Sequence, residues 1–186
     1  MTSQSALFVP VPEAEPVVGA LRQELDPSAQ VGIPAHITVL YPFAGPGELA
    51  PSMLDEVEDV LAKIEPFDYA LTELRWFDER VLYVAPSPGE PFHDISMALM
   101  ARFPQFPPYG GAYPDVIPHL CIGEDAGARR LRRAARRTAR HLPLSARATE
   151  VWLMATAEGE RAWSLRRTFT LGWSPRVPRL ARVSET

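Results

Sequence analysis

Lysine is nearly missing from this chain of 186 residues, where Lys63 stands alone and every other one of the 19 basic residues is arginine. Cysteine is as scarce. Cys121 is the single one, which excludes an internal disulfide and a zinc site built from cysteines. No segment approaches the ~20 consecutive apolar residues of a membrane span. The start, Met1-Thr2-Ser3-Gln4, lacks the positive flank of a secretion signal, and the apolar run Ala6–Val11 is short and broken by Pro10. Two histidines and one cysteine can begin a metal site, but no His-Glu-x-x-His or carboxylate cluster completes it. A net charge of −4 gives no overall pull towards nucleic acid. The expectation is a monomer of the cytoplasm, away from membranes, with no cofactor and no metal.

Proline is what the chain has in excess. Its 20 residues predict many stiff loops. Otherwise 46% hydrophobic and 23% charged residues are ordinary for a globular protein, and the length suits one domain or two small lobes sharing a core. Charge is unevenly spread: residues 1–125 hold 19 acids and 5 bases, and 126–186 hold 14 bases and 4 acids. Arginine grips phosphate with a planar fork that lysine lacks. The codon usage of a GC-rich genome gives the same bias, so the asymmetry leaves both explanations open.

Periodicity predicts strands at Ala6–Val9, Ile37–Tyr41, Tyr69–Phe77, Val81–Ala85, His119–Ile122, Thr149–Ala157 and Ala162–Leu171. It predicts helices opened by Pro16 (Val17, Val18, Leu21, Leu25), by Ser52 (Met53, Val57, Val60, Leu61, Ile64) and by Pro91 (Phe92, Ile95, Leu99, Phe103), and a basic one from Gly127 to His141. A loop rich in proline, tyrosine and glycine spans Pro104–Pro118, and the tail from Ser174 is expected to be frayed. Without the strict alternation of a doubly wound sheet, this order reads as α+β.

One coarse echo crosses the chain: Pro34-Ala35-His36-Ile37-Thr38 and Pro118-His119-Leu120-Cys121, each a short proline-led strand soon followed by a helix. Alternation puts His36 and Thr38 on one strand face with Ile37 and Val39 opposite, and likewise His119 and Cys121 against Leu120 and Ile122. Each strand is thus apolar on one side and carries an imidazole with a small donor on the other. Two such strands facing across a cleft suit phosphodiester cleavage. A neutral imidazole takes a proton from the attacking oxygen, and a protonated one supplies the leaving oxygen. A hydroxyl two residues along can donate to a non-bridging phosphate oxygen, where charge builds up.

His36-Ile37-Thr38-Val39-Leu40-Tyr41-Pro42-Phe43 and Pro118-His119-Leu120-Cys121-Ile122 resemble the paired His-x-Thr/Ser motifs of the 2H phosphoesterase superfamily, especially its 2′-5′ RNA ligase family. The resemblance covers nearly the whole chain. It implies a single bilobal domain over residues 1–186, with two antiparallel sheets around a central cleft and helices outside. It further implies metal-independent opening of 2′,3′-cyclic phosphates on RNA ends or nucleotides, usually to a 2′-phosphate, with reversible 2′-5′ RNA joining in some members. Carried over, His36 and His119 become the acid–base pair, with His119 the base and His36 the acid. Thr38 and Cys121 become the phosphate contacts.

Cys121 departs from the family's threonine or serine, and a thiol is a weak donor. Two rival readings follow: a related enzyme for another small cyclic phosphate (ADP-ribose cyclic phosphate or a cyclic oligonucleotide), and a nucleotide- or RNA-binding module with weakened catalysis. Tyr109 and Tyr113 are candidate base-stacking contacts, and Arg166 a candidate phosphate contact on the face of the last strand opposite Trp163, Leu165 and Phe169. His93 and His141 read as structural, and Tyr41 and Phe43 as core. The basic helix reads either as a solvated face or as an RNA contact.

Overall fold

Alternating apolar side chains build two four-stranded antiparallel sheets in the computed structural model, which describes residues 5–113, 115–157 and 160–173. The tail expected to be frayed, 174–186, lies outside the described residues. The first sheet runs β2 (His36–Leu40), β1 (Ser5–Pro10), β7 (Glu150–Thr156), β8 (Trp163–Thr170). The second runs β5 (Leu120–Glu124), β4 (Val81–Ser87), β3 (Phe67–Phe77), β6 (Leu144–Ala148). Each histidine motif thus sits on an edge strand, one per sheet.

Helices α1 (Glu15–Leu25), α2 (Pro27–Gln30), α3 (Pro51–Leu61), α4 (Glu90–Arg102) and α5 (Ala128–Thr138) complete the described fold. Pro16 falls in the first turn of α1, where its missing N–H removes no helical bond. Asp26 ends α1 and caps α2, its carboxylate accepting from the Ser28 N–H at 2.9 Å. The predicted apolar stripes are buried: Val18, Leu21 and Leu25 on α1, and Phe92, Ile95 and Leu99 on α4, with Phe103 just beyond it.

The echo in the sequence becomes a repeated connection. β1–α1–β2 and β4–α4–β5 each join a strand through a helix to its antiparallel neighbour. The helices then cross over: α1 packs on β5 of the second sheet, and α4 packs on β2 of the first. One continuous core results, holding Ile37 and Val39 from β2, Leu120 and Ile122 from β5, and the stripes of α1 and α4. Alternation leaves His36, Thr38, His119 and Cys121 off that buried face.

Three details differ from the sequence reading. β6 was not anticipated, because Ala146 and Ala148, the residues it buries, are too small to form a visible apolar stripe. In β8 a register shift pairs Leu153 with Arg167 but Met154 with Leu165. This bulge reverses the alternation. Phe169 is buried in the core, whereas Trp163 turns to the other face and lies 6.1 Å from the Phe8 ring. Tyr41 joins Trp163 in that smaller cluster with Phe8, Ile33 and Met154, while Phe43 enters the main core edge-on to Phe103 and Phe106. No helix among the described residues is long and apolar enough to cross a membrane.

Gly123 on β5 marks the tightest of these contacts. A Cβ there would lie 2.7 Å from the Leu25 Cβ, 2.8 Å from the Leu131 Cδ2 and 3.2 Å from the Leu25 carbonyl oxygen. Gly123→Ala is expected to cost about 1–3 kcal/mol through overpacking, at roughly 2–4 °C per kcal/mol for a domain of this size. A thermal melt checks it, and an unchanged midpoint would contradict the close approach of α1, α5 and β5.

Candidate active site

Both motif histidines are held in the same way. The ring Nδ1 of His36 lies 2.8 Å from the Pro34 carbonyl oxygen, and that of His119 lies 2.7 Å from the Ile117 carbonyl oxygen. A carbonyl only accepts, so each Nδ1 carries the hydrogen and donates it. In the neutral ring Nε2 is then left with its lone pair. The repeated bond reaches back two residues in both cases, across Ala35 and across Pro118. Strands β2 and β5 lie against one another although they belong to different sheets, and the charge of His119 depresses the basicity of His36. The two imidazoles therefore share one electrostatic site.

Beneath them lies a pair that the sequence reading did not single out. Arg22 and Asp26, on α1 and at its end, are 1% and 2% exposed and meet at 2.9 Å. The Arg22 guanidinium donates through Nη1 to the Ile33 carbonyl at 3.2 Å, through Nε to the Cys121 carbonyl at 3.1 Å, and through Nη2 to the Ser28 hydroxyl at 3.0 Å. One buried cation thus grips the chain three residues before His36 and two residues after His119. The Glu15 carboxylate adds a second hold on the first arm by accepting the Ala35 N–H. The available signal was periodic: Val18, Leu21, Arg22 and Leu25 follow the i, i+3, i+4, i+7 pattern, so Arg22 occupies a position of the buried stripe.

Aromatic rings back both histidines. Phe8 lies 4.2 Å from the His36 ring; Phe77 and Tyr83, stacked on each other, lie 5.1 and 5.3 Å from the His119 ring. Thr38 is half-buried on β2, two residues from His36 and on its face. Cys121 is also half-buried, and the charge of Asp26 acts on its thiol. Tyr109 has a left-handed backbone (φ 53°), and its N–H donates to the Tyr41 carbonyl at the end of β2. Its ring meets that of the exposed Tyr113 edge-on at 5.6 Å. Its hydroxyl is electrostatically coupled to Cys121. The proline-rich loop therefore runs from the end of one motif to the neighbourhood of the other.

Arg166 is exposed at the bulge of β8, the strand of the first sheet farthest in order from β2. His93 contacts Asp115 at 3.3 Å, and His141 is exposed on the turn after α5. Among the described residues no group of three or more histidine, cysteine, aspartate or glutamate side chains is arranged to hold a metal ion. A recess lined by Glu13, Asp68, Tyr69 and Arg147 lies elsewhere and includes neither motif histidine.

Burial and charge set the proton affinities. Desolvation, then the positive Arg22, push His36 down to about 4, against the smaller opposing effects of the Pro34 bond and Asp26. His119 is lowered as well, by desolvation, against the Ile117 bond and Asp26. Burial and then Asp26 hold the Cys121 thiol protonated. Burial, then Tyr113 and Cys121, push the Tyr109 hydroxyl up to about 12, so it remains a neutral donor. At neutral pH and without an anion, the site therefore presents two neutral imidazoles.

A sequence model described as the 2′-5′ RNA ligase superfamily matches residues 9–160. The fold resembles that of TT0787 of Thermus thermophilus (TM-score 0.61, 19% identity, 92% of this chain and 98% of that one). It also resembles E. coli LigT complexed with 3′-AMP (TM-score 0.58, 16% identity, 92% and 99%) and LigT complexed with NADP+ (TM-score 0.55, 18% identity, 91% and 98%). Among curated proteins none matches by sequence.

Removing one member of the buried pair strands the other. Arg22→Met is expected to cost about 3–5 kcal/mol by leaving the Asp26 carboxylate uncompensated, and Arg22→Met/Asp26→Leu should regain a large part of it in urea unfolding. In the double variant the His36 pKa should rise, because the depressing effect of Arg22 exceeds the raising effect of Asp26. NMR titration of the ring protons reads this directly. An unmoved His36 titration would remove Arg22 from the site's electrostatics.

Proposed function

Because the chain belongs to the 2′-5′ RNA ligase superfamily, we propose that it opens 2′,3′-cyclic phosphates on nucleotides or RNA ends by acid–base catalysis from His36 and His119. The observation that carries this reading is the matched pair of imidazoles, each anchored through Nδ1 to the carbonyl two residues before it and each offering Nε2. In the reaction one neutral Nε2 takes a proton from water. The water oxygen bonds to phosphorus, the bond from phosphorus to the ribose 3′-oxygen breaks, and the other imidazole, protonated, gives its proton to that oxygen. The product is a 2′-phosphate. Solved structures of LigT hold 3′-AMP and NADP+, which agrees with a nucleotide-sized substrate.

We assign the base to His36 and the acid to His119, the reverse of the assignment expected from the family resemblance. Burial and Arg22 hold the His36 pKa at about 4, so this imidazole is unprotonated at neutral pH and its Nε2 is free to accept a proton. Thr38, on the His36 face, is the phosphate donor from the first motif. On the second side burial and the charge of Asp26 hold the Cys121 thiol protonated, and a thiol is a weak donor. The neutral Tyr109 hydroxyl, coupled to Cys121, can supply the missing donor. Tyr113, exposed and edge-on to Tyr109, offers a ring on which a base can stack. Arg166, at the far strand, has a smaller share in this reading than the sequence suggested. The weak donor at Cys121 also favours the rival reading, a binding module with weakened catalysis.

Turnover of 2′,3′-cyclic nucleotides in EDTA tests the proposal. His36→Ala and His119→Ala should each lower kcat by about 10²–10⁴, the usual contribution of a general acid or base. Tight binding with no turnover by the parent protein would instead favour the binding module. The plot of kcat/KM against pH should be a bell. Its acid limb falls near 4, where His36 becomes protonated. Its alkaline limb falls below the ordinary 6.5 of histidine, where His119 loses its proton. A maximum above pH 8 would overturn this pair. Cys121→Thr should keep or raise turnover, since a hydroxyl donates to a phosphate oxygen more strongly than a thiol; complete loss would show that the position is misassigned.

A further inference from the structure

We propose that the outer face of α5 binds the phosphate backbone of an RNA chain whose terminal cyclic phosphate lies at the two histidines. The inference rests on the reading above for the end group and adds the substrate class: an oligonucleotide in preference to a mononucleotide.

The helix and the turn after it carry Arg129, Arg130, Arg132, Arg133, Arg136, Arg137 and Arg140, with no acidic residue between them. At 3.6 residues per turn, Arg129, Arg133, Arg136 and Arg140 form one row, flanked by Arg132 and Arg137. Leu131, Ala134 and Thr138, on the opposite side, are buried. The segregation is that of a basic amphipathic helix, a pattern that elsewhere binds membrane surfaces. Here the apolar side is already covered: Leu131 lies against Gly123 and the helix packs on α1. Only the charge is offered outward.

Among the described residues those charges have no acidic counterpart. Six of the eight described arginines outside the helix and its following turn are matched to acids, Arg161 and Arg166 being the others: Arg22 to Asp26, Arg75 to Glu73, Arg80 to Asp125, Arg102 to Glu56, Arg147 to Asp68 and Arg167 to Glu58. Among the described residues none of the α5 arginines meets a carboxylate; Arg130 alone makes a bond, to the Glu24 carbonyl. The arrangement also works against the helix. Arg129 and Arg130 stand in its first turn, where the dipole disfavours cations, and Arg129/Arg133, Arg132/Arg136, Arg133/Arg137 and Arg136/Arg140 are like-charged pairs at i, i+4. Such a row is stabilised when a polyanion supplies the missing charge. Neighbouring arginines on it are roughly 5–6 Å apart at Cβ, and arginine's fork suits phosphate oxygens.

Placement ties the row to the site. α5 leaves the chain directly after β5, the strand led by His119, and touches that strand through Leu131 and Gly123. Arg130 reaches the last turn of α1, the helix whose Arg22 grips both motif arms.

The quadruple variant Arg132→Gln/Arg133→Gln/Arg136→Gln/Arg140→Gln changes only exposed side chains and should melt no lower than the parent. Fluorescence anisotropy with a labelled single-stranded RNA ending in a 3′-hydroxyl reads binding without any cyclic phosphate to open. Affinity is expected to fall ~10-fold or more in the variant, and the slope of log K against log salt to shrink by up to ~2.8, four contacts at ~0.7 each. In parallel, kcat/KM on a cyclic-phosphate oligonucleotide should drop while that on a 2′,3′-cyclic mononucleotide stays unchanged. Equal RNA binding by variant and parent, salt-independent binding by the parent, or equally tight binding of the parent to phosphatidylserine vesicles would each overturn the proposal. RNA binding of the expected kind without hydrolysis of either cyclic phosphate would support the α5 surface and defeat only the catalytic reading.

Discussion

A guanidinium withdrawn almost entirely from water sets the terms for the rest of this fold. Burying Arg22 is tolerable only because its charge is met by Asp26 and its remaining N–H groups by Ile33, Cys121 and Ser28. Those acceptors are not neighbours in sequence. They belong to the approach to His36, to the strand behind His119 and to the turn after α1, so satisfying one cation fixes three segments in one geometry. An apolar residue at position 22 would fill the same space without specifying where the two motif arms must lie.

The same cation shapes the chemistry. A positive charge and a dry setting both disfavour imidazolium, so the resting site holds its histidines neutral. A phosphate arriving there brings the opposite charge. In the proposed reaction it would favour protonation of whichever ring lies nearer the leaving oxygen, so the acid would be loaded by the substrate. Tyr109 and Thr38 carry neutral hydroxyls and leave this balance undisturbed.

Much of this was legible before any coordinates. The two proline-led histidine strands, the alternation that turns Ile37, Val39, Leu120 and Ile122 inward, and the stripes of α1 and α4 all follow from periods of 2 and 3.6. What stayed hidden depends on tertiary partners. Arg22 reads as a surface charge until α1 is seen to cross onto β5 and close over it. β6 pairs with β3 across a long stretch of the chain and buries only alanines, so no local signal marks it. In β8 a single bulge reverses every later side chain, which is why Phe169 and Trp163 part company.

The crossing of α1 and α4 has a mechanical outcome. Each helix is tethered by its ends to one sheet and seated on the edge strand of the other, like two hands that grasp each other's wrists. Pulling the sheets apart would uncover both seats at once, so the gap between the imidazoles behaves as a fixed gauge. In the proposed reaction a group bridging the two rings would then be selected by size and reach.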